Sequence, residues 1–172
     1  IKGYSTSFQK KQPYVFNEKI RIGFFSADFY DHATMYLAAG LFREIDRQKY
    51  EVFIYSYGKT VHGEMYEELK LNADLFVSAE KMSNAEIMRH SRAHNLNIAI
   101  DMKGFTFQGR PDLFLGRVAP IQISFLGYPG TIGSSQIDYL IADKVLIPKQ
   151  HRHAYCENII FLPDSYQPND NK

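Results

Sequence analysis

The residues able to do chemistry gather in a few short segments, and in SADFYDHAT (26–34) a titrating side chain stands beside its potential helpers. His32 lies there between an apolar run and the start of a helical period, with Asp28 and Asp31 near enough in sequence to orient an imidazole. A histidine at the carboxyl end of a strand and the mouth of a helix sits where ligands collect, and imidazole changes charge near neutral pH. The plainer account is that Asp31 or Thr34 caps the helix while His32 only packs at the turn. From spacing alone, the plainer account is the better supported.

Other candidates are weaker. HSRAH places His90 and His94 one helical turn apart, as metal ligands often are, but it lacks the glutamate of H-E-x-x-H and offers no third ligand. They read as solvent-exposed helix residues, and His151 and His153 as surface residues of a basic link. Arg110, in the loop after NIAIDM, can fork onto a carboxylate or phosphate or can pair with a surface acid; taken alone, the pairing is the simpler reading. Neither G-x-G-x-x-G nor G-K-[ST] follows the first strand, which disfavours a dinucleotide-binding enzyme. GYPGTIG is rich in glycine, but Pro129 and the lack of a following amphipathic helix make it a poor phosphate cradle.

The elements that must position these residues alternate in period. IRIGFFSA, YEVFIYSY, DLFVSA, NIAIDM, APIQISFLGYPG, IDYLIAD and ENIIFLP are short apolar runs bounded by turn residues, as buried strands are. Between them, Leu37, Ala38, Leu41, Phe42 and Ile45 recur at helical spacing, and GEMYEELKLNA is a second helix. Ser83 and Glu86 have the spacing of a capping box and open a third. RPDLFLGR predicts a short helix with Pro111 in its first turn, and PKQHRHAY a helical or irregular link. Strands apolar on both faces, alternating with amphipathic helices, predict an α/β fold: a Rossmann-like, mostly parallel sheet with helices on both faces. Ligands then collect in the loops SADFYDHAT, DMKGFTFQGR and LGYPGTIGSS, which one cleft can hold together. Residues 1–18 read as a polar lead-in or the end of an upstream region, and 19–172 as the Rossmann-like domain.

Composition narrows the class of protein. The chain has 172 residues, 45% hydrophobic and 15% aromatic, enough to bury one domain's core. Its 20 basic and 19 acidic residues are interspersed, so nothing advertises nucleic acid or an anionic membrane as a partner. No apolar run approaches the roughly 20 residues of a membrane span, and no secretion signal opens the chain. A lone cysteine, Cys156, allows no internal disulfide and no Cys-based zinc site, which suits a reducing, cytoplasmic location. A start at Ile1 rather than Met suggests a piece of something longer.

IRIGFFSADFYDHATMYLAAGLF, YEVFIYSYG, NIAIDMKGFTFQGRPDLFLGRVAPIQISFLGYPGTIGSSQIDYLIAD and NIIFLPDSYQPND together resemble the amino-terminal half of the catalytic region of O-GlcNAc transferases and their bacterial relatives. The resemblance runs from Arg21 to Asp170, and its most specific stretch is APIQ through LGYPGT to DY and the following aspartate. It implies one half of a GT-B glycosyltransferase, with a cleft between two Rossmann-like domains. Such an enzyme moves N-acetylglucosamine from UDP-GlcNAc to serine or threonine hydroxyls of a protein or peptide acceptor. It inverts the anomeric centre and needs no metal. The missing phosphate fingerprint fits, because in this family the nucleotide is held mainly by the second half, and an upstream array of helical repeats selects acceptors. By resemblance, His32 is the active-site histidine and Asp28 the aspartate proposed as a proton acceptor. Thr34 follows the histidine, Gly104, Thr106 and Arg110 line the cleft, and Gly127 and Pro129 form the turn beside the donor sugar.

Several positions depart from the best-known members. Asp31 stands where asparagine is usual, Ala33 where proline is, Tyr36 where a second histidine is, and Lys103-Gly104-Phe105 where Asn-Gly-Tyr is. Asp31 adds a negative charge next to His32 if the two side chains are close. These changes leave open a related enzyme that uses UDP-glucose or an asparagine acceptor, and beyond it a non-catalytic binding module. The isolated fragment is expected to be inactive.

Overall fold

The computed structural model describes residues 13–170. Seven strands make one sheet: β1 (Ile20–Ser26), β2 (Tyr50–Ser56), β3 (Leu75–Ser78), β4 (Ile98–Asp101), β5 (Ile121–Ser124), β6 (Tyr139–Ala142) and β7 (Asn158–Phe161). Their order is β3-β2-β1-β4-β5-β6-β7, and every neighbouring pair is parallel. The crossovers carry helices α1 (Ala33–Glu44), α2 (Glu64–Leu71), α3 (Asn84–Ala93) and α4 (Pro111–Leu115), and a 3₁₀ turn at Lys149–Ala154 links β6 to β7.

The period of two along the strands splits the core between the two faces of the sheet. Phe24, Val52, Ile54 and Ile100 pack with Met35, Ala38 and Phe42 of α1 and with Leu69 of α2. Phe25, Tyr55 and Ala99 face the other way, onto Ile87 of α3 and Leu113 and Phe114 of α4. Each fully buried Phe or Leu contributes about 1.5–3 kcal/mol by leaving water, so these two layers hold the strand ends rigid. Local signals fix the helix starts. Ser83 and Glu86 form the reciprocal capping box of α3, and Pro111 sits in the first turn of α4.

The chain winds from β1 outward to β3, then returns to lay β4 on the other side of β1. That reversal separates the β1–α1 loop from the β4–α4 loop and opens a crevice between them, the usual ligand position in a doubly wound sheet. The register keeps the edge level: Ser26 pairs with Ser56, Phe25 with Asp101, and Asp101 with Ser124.

One expectation needs amendment. The strand through APIQISFLGYPG is short, because β5 stops at Ser124 and Leu126, at φ 73°, turns the chain away. Residues 1–12 of the lead-in lie outside the described residues; at its described end the Asn97 side chain donates to the Val15 carbonyl at 2.8 Å and accepts from the Asn17 amide at 2.9 Å.

Candidate active site

His32 is the N-cap of α1. Its Nδ1 accepts the Thr34 backbone N–H at 3.2 Å, which satisfies one of the free donors at the helix start. The cap is therefore the histidine itself, neither Asp31 nor Thr34. The ring is about a third exposed, at 36%, and the same Nδ1 lies 3.6 Å from Asp28 Oδ2. A neutral imidazole nitrogen either accepts or donates, so Nδ1 serves the Thr34 amide or gives a proton to Asp28, never both at once.

Asp28 is buried behind the histidine. Its backbone N–H is held by Ser26 Oγ at 3.0 Å, and its Oδ2 takes a 2.7 Å hydrogen bond from Lys103 Nζ. Both side chains of that ion pair are nearly sealed from solvent, with 4% of Asp28 and 7% of Lys103 exposed. The pair spans the switch point and ties the β1–α1 loop to the β4–α4 loop.

Asp101, the last residue of β4, holds the backbone that carries Lys103. Its Oδ1 accepts the backbone N–H groups of Lys103 at 2.9 Å and Gly104 at 3.0 Å, whereas Oδ2 is buried without a partner. Burial pushes its carboxyl above the usual range, against the opposing pull of those amides and of Lys103. The Tyr57 hydroxyl, also buried and unpartnered, is pushed well up by burial and then by Asp101.

Gly104 and Gly127 join the second and third loops. Gly104 has φ +54°, and a Cβ there would stand 2.6 Å from Tyr128 Cβ; a Cβ on Gly127 would stand 2.1 Å from the Met102 carbonyl oxygen. Tyr128 meets Phe105 edge to face at 5.5 Å. Leu126, just before Gly127, holds a left-handed conformation that a bulky residue adopts only under strain. Beside these loops lies an open cavity of about 470 Å³ walled by Phe105, Leu115, Ile132 and Ser134.

The remaining predicted residues stand apart from His32. Thr106 closes its own turn, its hydroxyl donating to the Lys103 carbonyl at 2.8 Å. Arg110 spans the Met82 carbonyl at 2.8 Å and the Tyr57 carbonyl at 3.5 Å, with its guanidinium 5.1 Å from the Tyr57 ring centre. It clasps two loops, and among the described residues it forms no ion pair with a surface acid. Pro129 is exposed at the loop tip, where its carbonyl receives the Tyr155 hydroxyl at 3.4 Å. Asp31 is turned from His32 towards the start of α2, its carboxylate packed on Gly63.

His90 and His94 are not the solvent-exposed pair expected. Both are half-buried on the sheet face, where His90 packs edge to face on Tyr55 and His94 lies against Phe53 and 3.3 Å from the Tyr55 hydroxyl. Burial lowers the pKa of His90. Among the described residues no three His, Cys, Asp or Glu side chains are grouped to hold a metal ion.

Two residues with evident positions in the site carry no local signal in the sequence. Lys103 meets an acid 75 positions away. Glu157, buried before β7, accepts the Ile132 N–H and the Thr131 hydroxyl, each at 2.7 Å, and so anchors the glycine-rich loop.

Fold and site together define a Rossmann-like α/β domain with a crevice at its switch point, built as one half of a glycosyltransferase catalytic region. The chain belongs to glycosyl transferase family 41, whose family model matches residues 3–172. It is 34% identical over 155 residues to the probable UDP-N-acetylglucosamine--peptide N-acetylglucosaminyltransferase SEC of Arabidopsis thaliana, covering 90% of this chain and 16% of that protein. It is 31% identical over 150 residues to the UDP-N-acetylglucosamine--peptide N-acetylglucosaminyltransferase of Caenorhabditis elegans, covering 87% of this chain and 13% of that one. Among solved structures, a mutant O-GlcNAc transferase of Thermobaculum terrenum superposes with a TM-score of 0.83 at 27% identity, over 87% of this chain and 29% of that one. The chain thus spans about one-sixth of the first of these relatives.

Proposed function

We propose that this chain supplies the acceptor side of the active site of an inverting protein O-GlcNAc transferase. The observation that carries the reading is His32, half-open at the switch-point crevice with the buried Asp28 behind it, in a chain of family 41. The donor is UDP-GlcNAc and the acceptor a serine or threonine hydroxyl of a protein. That hydroxyl attacks the anomeric carbon from the face opposite UDP, the bond to the diphosphate breaks, and the configuration inverts.

His32 takes or orients the hydroxyl proton at Nε2. To accept it there, neutral imidazole must carry its own proton on Nδ1, so Nδ1 leaves the Thr34 amide and closes on Asp28. Asp28 orients the ring from behind rather than touching the acceptor. Gly104, Gly127 and the LGYPGT turn shape the sugar pocket, with Thr106, Arg110 and Pro129 holding its walls. Charge on the leaving diphosphate is stabilised by the second catalytic half, and no metal ion takes part. Upstream helical repeats select acceptors. Among the described residues no helix is long and apolar enough to cross a membrane, and the single cysteine fits a cytoplasmic enzyme.

One feature favours a second donor or acceptor. Tyr36 and Phe105, both departures from the family pattern, are 57% and 55% exposed, and Phe105 walls the cavity beside the crevice loops. The test is transfer of radiolabelled sugar by the full-length protein from UDP-GlcNAc and from UDP-glucose to peptide libraries. N-acetylglucosamine on serine or threonine is the expected product, with none formed by the 172-residue chain alone. Label from UDP-glucose only, or on asparagine, would replace this reading with the related enzyme, and label from neither donor would favour a binding module.

A further inference from the structure

We propose that Lys103 is a positioning residue for this reaction, holding Asp28 in the place from which it orients His32. The inference rests on the transferase reading above. Three observations converge on it. First, a single oxygen, Asp28 Oδ2, receives the Lys103 ammonium at 2.7 Å and faces His32 Nδ1 at 3.6 Å, so the lysine and the histidine address the same atom. Second, the ion pair is almost wholly buried, where a charged group without a partner is costly, so the two side chains hold each other in place. Third, the backbone that carries the lysine is itself fixed. Asp101 Oδ1 grips the backbone N–H groups of Lys103 and Gly104, and Gly104 is locked against Tyr128.

The consequence is a division of labour in one carboxylate. Lys103 supplies the partner that the buried Asp28 carboxylate needs, and Nδ1 is left to cap α1 through Thr34. When an acceptor presents its hydroxyl at Nε2, the same ionised oxygen is already in place to receive Nδ1–H. Lys103 never meets the substrate and acts only through Asp28. The family's usual asparagine at this position has no charge, so the buried ammonium is a property of chains that carry lysine here.

The experiment is steady-state transfer from UDP-GlcNAc to a serine peptide by the full-length protein, with wild type, Lys103→Met and Lys103→Arg side by side and a thermal melt of each. Methionine keeps the length and removes the charge; arginine keeps the charge. Lys103→Met should lower kcat about tenfold or more while KM for UDP-GlcNAc moves less than about twofold, and Lys103→Arg should recover part of kcat. A melting point lowered equally in both variants, with kcat restored only by arginine, separates positioning from simple stability. Wild-type kcat in Lys103→Met, or equal losses in both variants, would overturn the role of Lys103. A wild type with no transfer from UDP-GlcNAc would instead overturn the transferase reading, and the role with it.

Discussion

At His32 one ring nitrogen has two claims on it, the Thr34 amide at 3.2 Å and the Asp28 carboxylate at 3.6 Å, and the proposed reaction requires the second. The helix start and the proposed proton path thus share one atom. The sequence made this place visible because a strand, a polar pause and a helix follow one another within a few residues. The Lys103–Asp28 pair and the burial of Asp101 were invisible to it, because contacts made by the return of the chain leave no spacing behind. Asp101 allows a test at this scale. Its carboxyl lies above the ordinary range because burial penalises the charge, so the stability it contributes while protonated is lost as pH rises through its raised pKa. Asp101→Asn stays neutral and can still accept both amide N–H groups. The melting point of the variant should exceed that of wild type near neutral pH, and the gap should shrink on acidification towards the ordinary carboxylate range. A gap that widens on acidification would contradict this account.

The helices were the most legible elements because their signals are local. The Ser83–Glu86 box and Pro111 each mark a start that lies within a residue of where the sequence puts it. The end of β5 was not legible, since Ser-Phe-Leu-Gly continues the apolar run and only the close approach of Gly127 to the Met102 carbonyl explains the turn. The loop that follows is anchored by Glu157, whose two contacts come from 25 and 26 residues away. Truncating it in Glu157→Ala leaves the Ile132 N–H without its acceptor. That variant should lose about 1–3 kcal/mol in urea unfolding and be nicked faster by protease within 128–133. Comparing Gly104→Ala with Gly133→Ala separates conformation from crowding. Both have positive φ, but a Cβ meets nothing within 4 Å at Gly133 and meets Tyr128 at 2.6 Å at Gly104. Gly133→Ala should cost about 1–2 kcal/mol and Gly104→Ala distinctly more. Equal costs would mean that the two loops are not locked together by Tyr128.

Over the whole molecule, the alternation of apolar strands with amphipathic helices was enough to reach a parallel sheet, but not its order. The order matters most, because it sets β1 beside β4 and so brings Asp28 onto Lys103. It also explains His90 and His94: helical spacing put them on one face, and the sheet beneath supplied Tyr55 and Phe53 as the surface they cover. The crevice is one-sided in this chain, in keeping with a span of about one-sixth of the first relative. The most direct test of the account is kcat of the full-length protein carrying His32→Asn. Asparagine is among the best N-caps, so α1 and the melting point should be preserved while the imidazole is lost. The account predicts a fall in kcat of about 10²–10⁴-fold at an unchanged melting point. Activity within about twofold of wild type would reduce His32 to a helix cap and remove the chemistry from this crevice.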